Sequence, residues 1–600
     1  MAETRGTGRT GAELIVDHLI GDGVLYAVGL CGHGVLGLLD ALVDRQDEIR
    51  TVSVHHEAVA GFVADAYYRV AHRPIATFTS CGPGSANLLV ALGSALMDDS
   101  ALLAITGNVP TSQFNRGPFQ ETGRHHQADF PSVVRPYVKR SFQATRAEQL
   151  PLMLRQAFAT MRGGRPGPVN LDVPLDVFVE RAPGPETDPA LWSAGAHRRT
   201  AAAPEDVRAV LELLAEAERP VVVAGSGVES DEATDELMAF VRLAGVPVVT
   251  SPLGKSAVPA DDPLAMGTTG RNGTYPANKA TRNADLVLAF GTRFDDRSTS
   301  SWLPGYTYAI PPTRLVHVHV DPGEISRNFP ASIGIAAHPR EVLRQLAEAW
   351  PAHGAASVSH HRLAAWREQV TSWRHEWDEH VAPRRVSDAE PLRPERVLAE
   401  LRGVLPDDAI LLSDVGAHHN WIVQEWPSRL PQTVLQSWGF ASMGFGVAGA
   451  LGARLAAPGR PVVSVAGDGG FLMMPSVVAT AVEHDLPVVW LVWDNGGYIS
   501  IRDQQRAYFG ADRELATSFR HEATGRPHRT DVVAMARSMG GDGLRVESPG
   551  DLGSAMKAAL DAHRPFVLHV LVDDTVAQPA VATWELPPLP VPAPTFGWPD

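Results

Sequence analysis

The sequence predicts an α/β protein with three domains, each built on a doubly wound parallel sheet. Apolar runs typical of buried strands alternate with amphipathic stretches typical of helices along most of the 600 residues. Two polar stretches, rich in proline and alanine, interrupt this alternation. Because a chain of this length is too long for one hydrophobic core, the interruptions predict domain boundaries.

Residues 1–185 are predicted to form an N-terminal domain. Its patterns predict helices over residues 12–19 and after Glu57, and strands over residues 25–28, 75–78 and 102–105. The stretch 180–206 is predicted to be a linker, because proline and alanine replace the apolar periodicity there.

Residues 204–350 are predicted to form a central domain and residues 390–575 a C-terminal domain. Helices are predicted over residues 205–217, 361–380 and 474–484, and strands over residues 220–224, 246–250, 286–290, 315–320, 461–466 and 487–493. Residues 576–600 form a proline-rich tail. In such sheets the ligand sites lie at the carboxyl ends of the strands.

The composition is that of globular α/β domains. Hydrophobic residues make up 44% of the chain and charged residues 20%, a balance that excludes a disordered protein. The net charge of −16 argues against a nucleic-acid partner, and no stretch has the apolar length of a membrane-spanning helix. The only cysteines are Cys31 and Cys81, so a reducing, cytoplasmic location is expected.

A glycine-rich pattern near the end of the chain predicts a magnesium-diphosphate site. Gly467, Asp468 and Gly469 follow one predicted strand, and Asn495 and Gly497 follow the next. One βαβ unit returns both turns to the same edge of a sheet. A carboxylate, an amide oxygen and a backbone carbonyl are the hard oxygen ligands that magnesium prefers. The alternative is two ordinary glycine-rich strand ends.

Glu57 is a carboxylate in an unusual setting, because it opens an otherwise apolar helix. There it would be partly removed from water, as catalytic carboxylates are. The alternative is a helix-initial glutamate that complements the helix dipole. A glycine-rich turn over residues 79–89 also opens a helix, and it makes a binding site in this domain the more attractive interpretation.

A series of motifs runs through the chain from Thr10 to Val572. They include HHEAVAGFVADAY, SCGPGSANLL, GPVNLDVPLDV, FGTRFDDRST, SDVGAHHNW, SMGFGVAGALGA and GDGGFLM. In this order they resemble the acetolactate synthase-like family of thiamine-diphosphate enzymes. The resemblance implies a pyrimidine-binding N-terminal domain, a central domain and a C-terminal domain that binds diphosphate and Mg²⁺. It also implies a homodimer or a dimer of dimers, with Glu57 and Asp468 serving one active site from different subunits.

The resemblance assigns cofactor contacts to both end domains. Glu57 would hydrogen-bond the ring nitrogen of the aminopyrimidine and so activate the cofactor. Met443 would support the bent shape of the cofactor, with plain core packing as the alternative, and the Ala441 carbonyl would accept the pyrimidine amino group. The further cofactor-binding residues that it implies are Gly82, Asn87, Val415, Gly416, His418, Gly467, Asp468, Gly469, Gly470, Asn495, Gly497 and Tyr498.

The resemblance also implies further catalytic residues, namely His33, Gln120, Lys139 and Arg297. In relatives that condense two keto acids, the arginine matching Arg297 holds the carboxylate of the second substrate. An ion pair of Arg297 with Asp295 or Asp296 is the alternative. His33 is the leading candidate for acid/base catalysis, and a turn histidine with structural hydrogen bonds is the alternative.

The implied reaction is decarboxylation of a 2-oxo acid and transfer of its acyl unit to a second carbonyl compound. The chain departs from acetolactate synthases at the turn Cys31-Gly32-His33, at Ala417 and Gln504, and in a longer loop that contains residues 123–126. The CGHG turn, the longer loop, the DNGG motif and Trp584 resemble the trihydroxycyclohexanedione hydrolases, which open a cyclic 1,2-dione with water. Such a C–C hydrolase is one alternative, and a catalytically inactive homologue is another.

The resemblance does not decide whether the protein binds FAD. The central segments 225–227, 267–273 and 291–297 are similar to the flavin site of acetolactate synthases. Related enzymes with the same central fold have lost the flavin.

Overall fold

The computed structural model describes residues 8–120, 129–183, 191–192, 199–353 and 360–578. Within these ranges the chain forms three six-stranded parallel sheets and one two-stranded antiparallel pair. The three parallel sheets confirm the predicted fold class. The loop residues 123–126, Trp584 and the tail from residue 579 onward lie outside the described residues.

The N-terminal sheet lies between helices on both faces. Its strands and the antiparallel pair are β1 (Arg9–Thr10), β2 (Tyr26–Gly29), β3 (Arg50–Ser53), β4 (Ala76–Thr79), β5 (Leu103–Asn108), β6 (Arg140–Gln143), β7 (Val169–Pro174) and β8 (Arg181–Ala182). Its helices are α1 (Gly11–Gly21), α2 (Leu36–Val43), α3 (Glu57–Ala71), α4 (Pro83–Met97), α5 (Phe130–Val134), α6 (Leu150–Arg162) and α7 (Leu175–Val179).

The central domain repeats this layered plan. Its strands are β9 (Pro220–Ala224), β10 (Val248–Thr250), β11 (Ala265–Thr268), β12 (Leu286–Phe290), β13 (Arg314–His319) and β14 (Ile333–Ala336). Its helices are α8 (Pro204–Glu216), α9 (Ser226–Ser230), α10 (Thr234–Ala244), α11 (Tyr275–Asn283), α12 (Pro339–His353) and the connecting α13 (His360–Arg385).

The C-terminal domain contains the third sheet. Its strands are β15 (Ile410–Ser413), β16 (Val434–Gln436), β17 (Val462–Gly467), β18 (Val489–Asp494), β19 (Asp542–Val546) and β20 (Phe566–Leu571). Its helices are α14 (Pro394–Val404), α15 (Ala417–Glu425), α16 (Phe445–Ala456), α17 (Asp468–Met473), α18 (Val477–Glu483), α19 (Ile499–Phe509), α20 (Val532–Ser538) and α21 (Pro549–Asp561).

The strand order creates a switch point in each end domain. The N-terminal order is β3-β2-β4-β5-β7-β6, and the C-terminal order is β16-β15-β17-β18-β20-β19. The chain therefore turns to opposite sides after β2 and β4, and after β15 and β17. A crevice opens outside the carboxyl ends of the two strands at such a point, and ligands bind there in open α/β sheets.

Two predicted elements differ from the structure in part. The helix predicted over residues 474–484 is confirmed as α18 (Val477–Glu483), which begins three residues later than predicted. Residues 474–476 separate it from α17, which ends at Met473. The start of the predicted linker pairs instead as β8 with β1, with Arg9 opposite Ala182.

The end domains pack together through α3 and α16. A Cβ on Gly452 would lie 2.0 Å from the Val63 carbonyl oxygen, so only glycine allows the two helices to approach this closely. The Phe62 and Phe445 rings meet edge to face, with 6.1 Å between centroids. This contact fixes the N-terminal sheet against the C-terminal sheet within one chain.

Across the described ranges, none of the helices is both long and apolar enough to cross a membrane.

Candidate active site

The C-terminal switch point brings three loops to one edge of the sheet. Val415 and Gly416 follow β15, Asp468 follows β17, and Asn495 follows β18. Because β15, β17 and β18 are neighbouring parallel strands, their carboxyl ends point the same way. The predicted βαβ unit therefore delivers Asp468 and Asn495 together, as the spacing indicates.

A cavity of about 160 Å³ opens at this edge. We call it the reaction cavity. Its wall includes the predicted cofactor-binding residues of the C-terminal domain, together with Arg297 of the central domain. The predicted residues that line it are Val415, Gly416, His418, Ala441, Met443, Gly467, Asp468, Gly469, Gly470, Asn495, Gly497, Tyr498 and Arg297.

Asp468 is held rigidly at the entrance to α17. It is 8% exposed, and its two carboxylate oxygens accept hydrogen bonds from the backbone N–H of Gly469 (2.8 Å) and of Gly496 (2.9 Å). Burial and the neighbouring Asp494 carboxylate raise the pKa of Asp468 to about 7. A buried carboxylate with so few compensating charges is an attractive ligand for a cation.

The sequence did not identify the groups that hold Asp494. Its Oδ2 lies 2.7 Å from Nε2 of His569, and its Oδ1 lies 2.9 Å from Nη1 of Arg529. Burial alone would raise the pKa of Asp494, but the His569 hydrogen bond and the Arg529 charge hold it below its usual value. His569 reaches this position because β20 is the neighbour of β18 in the sheet.

The residues at the edge fit a magnesium ion that also binds phosphate. Asp468 supplies a carboxylate, Asn495 an amide oxygen and Gly497 a backbone carbonyl. In the part of the chain that the structure describes, His, Cys, Asp and Glu side chains form no cluster of three that could hold a metal. Mg²⁺ is usually bound by one or two carboxylates and completes its shell with water and substrate phosphates, so this sparse set suits it.

The opposite wall fits a diphosphate. His418 lies in the first turn of α15, and burial lowers the pKa of its imidazole to about 4. Its buried Nε2 has no hydrogen-bond partner among the residues that the structure describes. The N-terminus of α15 and the backbone N–H groups of Gly469 and Gly470 also border the cavity, and helix N-termini and such turns attract phosphate.

Asp414 supports the loop that carries Ala441 and Met443. Its Oδ1 accepts hydrogen bonds from the backbone N–H of Gly444 (2.8 Å) and Gly446 (3.1 Å) at the start of α16. Ala441 has φ of +54°, a conformation that costs a non-glycine residue about 1–3 kcal/mol. The sequence did not identify Asp414 as a site residue, because its partners follow it by about thirty positions.

Arg297 enters the reaction cavity from the central domain. Its guanidinium lies 5.4 Å from the centre of the Trp438 ring, and burial lowers its pKa. Among the described contacts it forms no ion pair with Asp295 or Asp296. Asp295 instead accepts hydrogen bonds from the backbone N–H of Arg297 and from Trp438 Nε1.

Glu57 lies at the start of α3 in the N-terminal domain. It is 8% exposed, and its Oε2 accepts a hydrogen bond of 2.9 Å from Nδ2 of Asn87. A Cβ on Gly84 would lie only 3.2 Å from Glu57 Oε1, so the glycine-rich turn leaves room for this carboxylate. The two predicted residues Glu57 and Asn87 are therefore in direct contact.

A second cluster lies at the N-terminal switch point. His33 Nε2 lies 3.6 Å from the Sγ of Cys81, and this thiol lies 4.0 Å from Oε1 of Gln120. Burial raises the pKa of the Cys81 thiol. A Cβ on Gly82 would lie 2.4 Å from the Gln120 carbonyl oxygen. Cys81 thus joins two predicted catalytic residues, a role that the sequence did not indicate.

Lys139 occupies a different environment. Its ammonium group donates hydrogen bonds of 2.7 Å to the backbone carbonyls of Gly163 and Arg165. Burial and the nearby Arg165 charge lower its pKa to about 8. Its surroundings in this chain are a loop of the N-terminal domain, and its predicted catalytic role stays a prediction.

The predicted site thus falls into two groups within one chain. The residues that line the reaction cavity come from the central and C-terminal domains. Glu57, Asn87, His33 and Gln120 belong to the N-terminal group and do not border that cavity. The roles of both groups stay predictions.

Comparison with known proteins identifies the same three domains. The chain matches the thiamine pyrophosphate enzyme N-terminal TPP binding domain over residues 9–129, the central domain over residues 207–346 and the C-terminal TPP binding domain over residues 414–570. The central match contains all six strands of its sheet, the N-terminal match contains β2 to β5, and the C-terminal match begins directly after β15.

Curated relatives match nearly the full chain. A probable acetolactate synthase large subunit of Methanocaldococcus jannaschii is 32% identical over 95% of this chain and 93% of its own. The acetolactate synthase isozyme 3 large subunit of Escherichia coli is 32% identical over 94% and 95% of the two chains. Acetolactate synthase 2, chloroplastic, of Zea mays is 30% identical over 94% and 85%. These matches confirm the resemblance found in the motifs, and the chain therefore belongs to the acetolactate synthase-like family of thiamine-diphosphate-dependent enzymes.

Proposed function

We propose that this enzyme is a carboligase that uses thiamine diphosphate and Mg²⁺ to decarboxylate a 2-oxo acid and transfer its acyl unit to a second carbonyl compound. The observation that carries the proposal is the reaction cavity at the C-terminal switch point, where Asp468, Asn495 and His418 converge. The acetolactate synthase relatives support the reaction type. When bound, the cofactor supplies a nucleophilic carbon and an electron sink beside the substrate carbonyl.

The residues of the cavity wall bind and orient the cofactor in this proposal. Asp468, Asn495 and the Gly497 carbonyl would hold Mg²⁺, and His418 borders the space that the diphosphate would occupy. Met443 supports the bend between the two rings. The strained Ala441 backbone directs its carbonyl toward the amino group of the pyrimidine.

The N-terminal group would complete the site from a second copy of the chain. Glu57 must reach the pyrimidine ring to hold a proton there, yet it does not border the reaction cavity of its own chain. A homodimer with two-fold symmetry brings the Glu57 group of each subunit to the cavity of the other. His33 and Gln120 would then face the substrate as candidates for proton transfer.

Arg297 is proposed to bind the carboxylate of a 2-oxo acid. Its guanidinium is buried in the wall of the cavity, beside Trp438, without an ion pair to Asp295 or Asp296. A planar, permanently charged group suits a carboxylate, because two N–H groups can bind its two oxygens.

Hydrolysis of a cyclic 1,2-dione is a second candidate, favoured by Gln504 in the cavity wall. Its Nε2 donates to the Ser500 carbonyl within α19. A polar side chain at this position suits a hydroxylated ring better than the methyl group of a small keto acid.

FAD is not part of the proposal, and the central glycine turns stay a sequence-based prediction of a flavin site. A Cβ on Gly225 would lie 2.2 Å from the carbonyl oxygen of Gly291, so the two turns touch. The cavity beside them, of about 50 Å³, holds roughly two water molecules. It is bordered by Arg69 as well as by Asp98, Asp99 and Glu229, and Arg69 pairs with Asp98.

A substrate assay tests the proposal. The purified protein, loaded with thiamine diphosphate and Mg²⁺, is incubated with pyruvate alone and with added aldehydes, and the products are identified by mass spectrometry. Release of CO₂ with an acyloin or acetolactate product is expected. Turnover of a cyclic dione without CO₂ would favour the hydrolase, and no turnover of any carbonyl compound would contradict both.

A further inference from the structure

The carboxyl end of β18 carries a second carboxylate beside the predicted metal ligand Asp468. The backbone N–H of Gly496 donates to both side chains, at 2.9 Å to Asp468 Oδ2 and at 3.0 Å to Asp494 Oδ1. Because one donor joins both oxygens, the two carboxylates lie within a few ångströms of each other. The Asp494 side chain is only 3% exposed. The edge of the sheet therefore holds two buried acidic side chains, of which the predicted metal site uses one.

The second carboxylate is bound by two basic side chains. Oδ1 of Asp494 lies 2.9 Å from Nη1 of Arg529, and Oδ2 lies 2.7 Å from Nε2 of His569. A carboxylate only accepts hydrogen bonds, so Nε2 of His569 is the donor in this contact. The guanidinium of Arg529 also lies 3.5 Å from the backbone carbonyl oxygen of Asp494. Both carboxylate oxygens of Asp494 thus have a side-chain donor.

The two basic residues come from different parts of the chain. His569 lies on β20, opposite Val492 of β18, and its side chain is 2% exposed. Arg529 lies in the segment between α19 and α20, and its side chain is 33% exposed. The buried histidine fixes the direction of the Asp494 carboxylate, and the arginine supplies the opposite charge.

Asp494 also anchors the loop that carries the other predicted magnesium ligands. Its side chain accepts the Gly496 N–H, and its backbone carbonyl accepts the N–H of Val572 at 3.0 Å. The predicted ligands Asn495 and Gly497 flank Gly496 in the sequence. The position of both ligands therefore depends on the anchored carboxylate.

The charge balance at Asp494 suits a metal site that also receives a diphosphate. A diphosphate brings several negative charges of its own. Two uncompensated carboxylates beside it would attract a cation more strongly, but they would repel the diphosphate. Asp468 accepts hydrogen bonds from backbone N–H groups and forms no ion pair among the described residues. With Arg529 paired to Asp494, one uncompensated carboxylate is left for the cation, as in magnesium sites that share the ion with phosphates.

We propose that Arg529 determines the ligand preference of the cation site: by neutralising Asp494 it makes the site favour a cation bound with diphosphate over the cation alone. The inference rests on the proposed function for the identity of the ligands. Arg529 acts through Asp494 and is a positioning residue. Without its charge, the affinity for the bare cation should rise, whereas the affinity for the diphosphate should fall. A purely structural role would lower both affinities, because a distorted loop binds every ligand less well.

Arg529→Gln tests these opposite signs without any turnover. Mn²⁺ prefers the same oxygen ligands as Mg²⁺, and electron paramagnetic resonance measures its binding with and without thiamine diphosphate. The dissociation constant of Mn²⁺ alone should fall roughly tenfold, and that of thiamine diphosphate at saturating Mn²⁺ should rise roughly tenfold, as loss of one nearby unit charge implies at an effective dielectric constant of about 20. Arg526→Gln, at an exposed arginine of the same segment, is the matched control and should bind both ligands as the wild type does. Weaker binding of both ligands by Arg529→Gln, or no change in either, overturns the inference.

A double substitution connects the effect to Asp494. In an Asp494→Asn protein, Arg529→Gln should no longer tighten Mn²⁺ binding, because the carboxylate that it would uncover is absent. An equal gain in both backgrounds would show that Arg529 acts by its own charge, and it would overturn the role of Asp494. The Asp468→Asn variant separates this inference from the proposed function. If it loses Mn²⁺ binding while Arg529→Gln changes nothing, the metal site stands and only the inference about Arg529 is overturned.

Discussion

Asp468→Asn is the substitution that tests the metal site most directly. It keeps the size and shape of the side chain but removes its charge. The asparagine oxygen can still accept the Gly469 N–H, whereas its NH₂ group would face the Gly496 N–H, a donor, in place of the present acceptor. The variant therefore loses the anionic magnesium ligand and one of two backbone contacts.

The size of the effect follows from these losses. A hydrogen bond to a charged group contributes about 1.5–3 kcal/mol, and each 1.4 kcal/mol changes an equilibrium about tenfold. The dissociation constant of thiamine diphosphate at fixed Mg²⁺ should therefore rise between roughly tenfold and roughly 150-fold. The unloaded variant loses one backbone hydrogen bond but also loses a carboxylate that is buried at a cost, so its melting temperature should stay close to that of the wild type.

Titration of the cofactor at several Mg²⁺ concentrations measures this effect, with Trp493 near the cavity as a fluorescence reporter. The wild type should bind more tightly as Mg²⁺ rises, and the variant should depend on Mg²⁺ much less. Asp512→Asn, an exposed carboxylate of the same domain, is the matched control and should behave as wild type. An Asp468→Asn protein with unchanged affinity and unchanged Mg²⁺ dependence would refute the metal assignment.

Three further predictions concern the activation, assembly and pH response of the site. Glu57→Ala should lower kcat at least about a hundredfold, as loss of a proton-transfer group does. Calorimetry should show nearly unchanged binding of the cofactor to this variant. A near-normal kcat would contradict the role of Glu57 in activating the cofactor. Refolding equal amounts of Glu57→Ala and Asp468→Asn chains together should restore about a quarter of wild-type activity. Half of the dimers are then mixed, and each mixed dimer has one intact site out of two. No recovery of activity in a folded dimer would contradict a shared site. Burial raises the pKa of Asp414 from 3.8 to about 7. Between these pH values the Asp414 carboxylate binds more protons in the folded protein than in the unfolded protein. Its contribution to the free energy of unfolding therefore falls as the pH rises from about 4 to about 7. The melting temperature of Asp414→Asn minus that of wild type should thus rise from pH 4 to pH 8, and a constant difference would show that Asp414 is not buried as described.

The sequence predicts the strands of this fold well, because a strand buried on both faces needs a continuous apolar run. β9 and β12 occupy the predicted residues 220–224 and 286–290. The helix predicted over residues 474–484 is present as α18, but it begins only at Val477. Local periodicity thus locates buried strands better than it locates the ends of helices.

The site was predictable where it depends on neighbours in the chain and unpredictable where it depends on the order of strands. Asp468 and Asn495 follow adjacent strands of one βαβ unit, so their spacing alone brings them together. His569 meets Asp494 only because β20 is inserted between β18 and β19. The Cys81 contact with His33 likewise requires β2 and β4 to be neighbours. Such contacts follow from topology, which periodicity does not specify.

The two end domains place their reactive groups at equivalent points of similar sheets. His33 and Cys81 follow β2 and β4, and Val415 and Asp468 follow β15 and β17, each pair at the point where the strand order reverses. The packing of α3 on α16 fixes the two edges relative to each other within the chain, so Glu57 at the start of α3 is not free to swing toward its own reaction cavity. If Glu57 contacts the cofactor as proposed, it would do so from another copy of the chain. Two-fold symmetry is the simplest arrangement that completes both cavities at once, and this is why the mixed-chain experiment bears on the mechanism as well as on the assembly.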